Sequence, residues 1–159
     1  MMLEPGFASR MQFLVRVVRK EAGHLAATDR RLFAGGFTQE DAVRLESEPD
    51  LAERVDAFVG RFSRLQDTVG DKLLPVFLIA LGETAGAAID NLDRAERLGL
   101  LDSVDDWMVM RKLRNQMVHE YVEDPTILCS ALLAGHAFVP ALIGVADRFV
   151  AEAGRRGWA

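Results

Sequence analysis

Between Arg111 and Tyr121 the chain reads Arg-Lys-Leu-Arg-Asn-Gln-Met-Val-His-Glu-Tyr. Three cations, a histidine and the only tyrosine of the chain fall within eleven residues. Arginine brings a fixed charge and a forked donor that matches a phosphoryl group. Histidine takes up and returns a proton near neutral pH. Those groups suffice to cut RNA without a metal. The ribose 2′-OH loses its proton and attacks the adjacent phosphorus, and arginine stabilises the dianionic centre. A base and an acid are both needed, yet the segment holds one good histidine. A two-fold dimer through this segment would bring two copies to one cleft. Arg111 and Lys112 add phosphate-binding charge beside Arg114. Residue types alone leave another reading open, a surface helix end with a capping histidine.

Helical geometry constrains the set. Trp107, Met110, Leu113 and Met117 step by 3, 3 and 4 and form an apolar stripe, so the polar members lie beside or opposite it. Asn115 and His119 are four apart and could share a hydrogen bond. Arg114 and Tyr121 are seven apart and nearly eclipse. Arg114 and His119 are five apart, about 140° around an ideal helix. They converge within one chain only if the helix end frays or Arg114 reaches round. Asp67, in Arg64-Leu65-Gln66-Asp67-Thr68, is a weaker candidate that could face the segment from the preceding long helix. A plain surface acid is the competing reading there.

The elements that must position these residues are helical. Leu51, Val55, Phe58, Phe62, Leu65 and Val69 mark one face of a long helix. No run alternates with period two. Capping patterns stand at Thr38 to Asp41, Ser47 to Asp50 and Ser103 to Asp106. Helices are expected over 6–33, 39–46, 49–80 with a bend near Gly70 to Pro75, 83–98, 103–121 and 126–153. Short connections between long amphipathic helices give an all-α, antiparallel up-and-down bundle. One domain over 1–159 is expected, with 1–48 as a helical extension to a core over 49–153. The tail Gly154-Arg155-Arg156-Gly157 is expected to fray.

Composition narrows the function classes. The chain has 159 residues, 50% hydrophobic and 27% charged, with a formal net charge of -5. That is a globular composition, not a disordered one or a basic nucleic-acid coat. Cys129 is the only cysteine, so no intrachain disulfide is possible, and it reads as a buried, inert thiol. His24 and His136 are isolated, and neither a metal nor another cofactor is expected. The acids and bases over 83–98 read as a solvated face. The apolar runs fall short of a spanning helix and the N-terminus lacks a leader pattern, so a cytoplasmic protein is expected.

Arg114-Asn115-Gln116-Met117-Val118-His119-Glu120-Tyr121 resembles the motif of the HEPN superfamily. It fits most closely the HepT-like ribonuclease toxins, with arginine, asparagine, histidine and tyrosine at every fixed position. The likeness is good over 83–125 and weaker over 49–80. The resemblance implies a helical bundle that dimerises, with the arginine–histidine motifs facing across a cleft. It implies a metal-independent endoribonuclease, with Arg114 on phosphate, His119 as general base or acid, and Asn115 orienting His119. It further implies an antitoxin partner, a small nucleotidyltransferase that silences the nuclease by adenylylating Tyr121. Two other readings remain: a non-catalytic partner that holds substrate or nucleotide for such a nucleotidyltransferase, and a plain helical interaction protein.

Overall fold

The computed structural model describes residues 3–119 and 123–159. Among them there is no strand. The order is α1 (Pro5–Phe33), α2 (Gln39–Val43) with a 3-10 turn (Arg44–Glu46), α3 (Pro49–Asp67), a π turn (Thr68–Leu73), α4 (Leu74–Ala80), α5 (Ala88–Arg97), α6 (Val104–His119) and α7 (Pro125–Arg155). Four long helices make the bundle: α1 packs on α3 and α7, and α6 packs on α7 and α3. The pairings run antiparallel. Arg61 meets Thr28 while Thr68 meets Glu21 across α1–α3. Asp67 meets Arg114 while Gly70 meets Trp107 across α3–α6. The small helix α2 lies on α7, and α5 lies against α4 and α6.

The apolar stripes become one core. Phe58, Phe62, Phe77, Phe149, Met11 and Leu14 are fully buried. Ring pairs tie the helices together: Phe33 meets Phe58 edge-on at 5.1 Å, and Phe77 meets Phe149 at 5.1 Å. The N-terminal helix, expected as part of an extension, packs inside this core through Met11, Leu14, Val18 and Leu25.

Helix ends follow their caps in most places. Thr38 and Asp41 form a reciprocal capping box. The Ser103 hydroxyl accepts from Asp106 N–H at 3.1 Å, while Glu96 rather than Asp106 takes the neighbouring Val104 N–H at 2.6 Å. Asp124 accepts from Thr126 and Ile127 N–H, which starts α7 with Pro125 in its first turn. Ser47 is no cap. Glu48 occupies that position and the Ser47 hydroxyl donates back to Arg44 C=O. The helix expected from residue 83 starts at Ala88, because buried Asn91 closes a loop through both N–H and C=O of Gly86.

Three further expectations change in detail. The bend near Gly70 to Pro75 is a π turn in which Leu74 N–H bonds Val69 C=O. Pro75 lacks an N–H and crowds the carbonyl four residues before it, which a widened turn relieves. The tail does not fray. Gly157 adopts φ +73°, Trp158 N–H bonds Ala153 C=O at 2.8 Å, and the buried indole packs on Phe77 at 5.1 Å. Finally, α7 has the length and composition of a spanning helix, with a mean hydropathy of 1.9 over its best window, of which 39% is buried. Small residues such as Ala, Gly and Ser bridge its apolar runs, and its inner face forms the contact with α1 and α6.

Candidate functional site

The apolar stripe of α6 seats the motif helix. Val104, Trp107, Met110 and Met117 are buried, with Leu113 half-buried. Gly70 and Gly135 let the neighbours approach. A Cβ at Gly70 would lie 3.0 Å from Trp107 Cζ2, and one at Gly135 would lie 3.3 Å from Met117 Sδ. Buried Gln66 donates from Nε2 to Trp107 C=O at 3.2 Å, a cross-link between α3 and α6.

This seating turns Arg114 toward the end of α3. Its Nη2 donates to Asp67 Oδ2 at 2.7 Å. Its Nη1 donates to Asn115 Oδ1 at 3.4 Å, while its Nε is buried without an acceptor. The half-buried guanidinium is thus fixed at the α3–α6 seam by a single carboxylate oxygen. Arg111 is half-buried and Lys112 exposed on the same helix. Neither forms an ion pair among the described residues.

His119 is exposed, the last residue of α6. The helix stays regular from Val104 to His119, so Arg114 and His119 point about 140° apart within one chain. Asn115 is exposed and occupied by Arg114, and among the described residues no hydrogen bond joins it to His119. Asp67 and Arg114 are brought together; Arg114 and His119 of one chain are not. Tyr121 lies outside the described residues.

Two polar residues of this region were not singled out by sequence. Glu21 on α1 accepts from the Thr68 hydroxyl at 3.2 Å, and its other oxygen is buried without a partner. Burial raises its pKa, opposed by the Thr68 hydrogen bond, Arg64 and Lys72. Gln66 is the second. Both interrupt apolar rows: Leu14, Val18, Glu21, Leu25 and Val59, Phe62, Gln66, Val69 step by 4 and 3. A polar residue in phase with a core stripe was the available signal.

Other candidates take structural places. His136 Nδ1 lies 2.7 Å from Asp29 Oδ1, and its ring stacks on Phe33. Cys129 is buried, and burial pushes its thiol up. Among the described residues no three His, Cys, Asp or Glu side chains are placed to share a metal ion. Comparison of the chain with protein-family models, curated proteins and solved structures finds no match.

Proposed function

We propose that this protein is a HEPN-like, HepT-type endoribonuclease that cuts RNA by 2′-OH attack, without a metal, in the cleft of a homodimer. The observation that carries the reading is the fixing of Arg114 by Asp67 at the seam where α6 meets α3. A guanidinium already held in place needs little reorganisation to receive a phosphoryl group. The new bond joins the 2′-oxygen to phosphorus, and the bond to the 5′-oxygen breaks. His119 takes the 2′-proton or protonates the 5′-oxygen. The products carry a 2′,3′-cyclic phosphate and a 5′-OH.

The divergence of Arg114 and His119 along α6 favours action in trans. Met108 is exposed on α6 on the same face as exposed Asn115 and His119, with exposed Val109 and Val118 flanking that face on opposite sides. Pairing that face about a two-fold axis would cover Met108 and set one chain's histidine near the partner's arginine. Arg111 and Lys112 would then double at the same cleft. The reading includes a cytoplasmic location and a nucleotidyltransferase antitoxin. The antitoxin would transfer AMP from ATP to the Tyr121 hydroxyl with release of pyrophosphate.

The test is RNA cleavage by purified protein in excess chelator. Wild type is expected to release cyclic-phosphate ends, and His119→Ala to release none. Equal cleavage by the variant would refute the assigned roles. Intact mass after co-expression with the nucleotidyltransferase should show added AMP that Tyr121→Phe abolishes.

One observation favours a second reading. Asp67 partly neutralises Arg114, which suits a non-catalytic domain that presents nucleotide or substrate to the nucleotidyltransferase. A stable complex without RNA cleavage would select it.

A further inference from the structure

Charge is unevenly divided along the chain. Six arginines and lysines on α1 face only Glu21 and Asp29, so the helix is at +4, which leaves -9 for the rest of the -5 chain. One of those cations, Arg31, stands at the seam with α3, beside Arg54 and Arg61 of α3. There a cleft of about 410 Å³ opens, lined by Thr28, Arg31, Asp50, Glu53, Arg54 and Arg61. Arg61 donates to the Thr28 hydroxyl and, at 3.3 Å, to His24 C=O, which holds it across the seam. Exposed Arg31 and Arg54 pair with no carboxylate among the described residues, although Asp50 and Glu53 line the same cleft.

The seam continues toward the motif helix. On α3 and its π turn, Arg54, Arg61, Arg64, Thr68 and Lys72 fall at spacings of 7, 3, 4 and 4. Thr68 bonds Glu21 of α1 directly at 3.2 Å, and Arg64, Lys72 and Asp67 lie near enough to act on it electrostatically. Asp67 then leads to Arg114. Arg54 and Asp67 lie thirteen positions apart on α3, about 20 Å along the helix.

We propose that the cleft between α1 and α3 is a remote RNA subsite, which takes a phosphate of the same strand whose scissile phosphate meets Arg114. The inference rests on the ribonuclease reading and extends it. Guanidiniums and the Thr28 hydroxyl donate to phosphate. Asp50 and Glu53 accept from ribose hydroxyls, and the 2′-OH lets such a site prefer RNA over DNA. Three fixed cations against two carboxylates make a positioning contact, with base-independent affinity. The footprint therefore runs from α6 along α3 instead of ending at Arg111, Lys112 and Arg114.

The test measures binding in the His119→Ala background, so that RNA stays intact. A labelled 12-mer RNA, the matching DNA, AMP and polyglutamate are titrated across salt. Adding Arg31→Ala and Arg54→Ala should weaken RNA binding about tenfold. It should also reduce the salt slope by about 0.7, the value for one single-strand phosphate contact. Arg31→Lys with Arg54→Lys should keep the slope. Both positions are exposed, and circular dichroism confirms that each variant is folded. Asp50→Ala with Glu53→Ala, which removes both acceptors, should narrow the preference for RNA over DNA. An unchanged slope and affinity overturn the proposal. So does arginine dependence confined to AMP, which marks a free-nucleotide site, or to polyglutamate, which marks an acidic protein partner. Arginine-dependent RNA binding without cleavage by wild type leaves the subsite standing and removes the nuclease reading. Cleavage without that dependence does the reverse.

Discussion

Arg114 on α6 and Asp67 at the end of α3 meet through one 2.7 Å contact, 47 residues apart in sequence. The contact is partly exposed on both sides, so it does little for stability and much for direction. Asp67→Ala should change the unfolding free energy by less than about 1 kcal/mol. RNA cleavage should fall about a hundredfold, because a displaced guanidinium loses its aim. Thermal unfolding and cleavage rates, measured on one preparation, check both halves. Faster cleavage by Asp67→Ala would mean that the carboxylate restrains Arg114 instead of aiming it.

Gly70 sets how closely α6 may approach α3. Its missing Cβ would come 3.0 Å from Trp107 Cζ2. Gly70→Ala should cost about 1–3 kcal/mol through overpacking. A lower urea midpoint with an unchanged slope, followed by tryptophan fluorescence, is the expected result.

The docked C-terminus makes a second stability prediction. Trp158 is buried against Phe77. Trp158→Ala should cost about 3 kcal/mol, the low end for a large aromatic at a chain end. An unchanged melting temperature would show that the tail contributes nothing.

Glu21 carries a pH signature. Its pKa is raised above 4.5, first by burial, which the Thr68 hydrogen bond only partly offsets. A raised acid pKa gives stability that is fully present below the unfolded value of 4.5 and is lost as pH rises through the folded value. The melting temperature of wild type should therefore fall relative to Glu21→Gln as pH rises from 4 to 7. The groups acting on Glu21, namely Arg64, Lys72 and Asp67, are the same in both proteins. Parallel profiles across that range would contradict the assignment.

Helix positions were legible because the apolar spacing and the caps agree, as at Thr38 and Asp41 or along Trp107, Met110 and Met117. Local signals failed where a distant partner decided the outcome. Asn91 holds Gly86 and delays α5. Trp158 finds Phe77 and anchors a tail that composition alone marks as loose. At the candidate site, spacing sets Arg114 and His119 five residues apart, and α6 runs as one helix through both. Spacing could not show that Asn115 turns to Arg114, nor choose between a surface role and an ion pair for Asp67. Both depend on how α3 lies against α6. The chain's acidic total likewise hides a basic α1, since a sum carries no position.

The π turn has a consequence for how the long hairpin arm is counted. Phe58 and Leu65 are buried seven residues apart. Continued unbroken, that count would bring Lys72 and Ile79 inward, yet both are exposed, and Leu73 and Ala80 take the interior places. The turn thus works as a one-residue frameshift in three dimensions. It keeps an ammonium out of the core and lets Phe77 reach both Phe149 and Trp158. A one-residue deletion within 68–73 that restores a regular helix would move Leu73 and Ala80 onto the places the unbroken count turns inward, so the second half would keep its face.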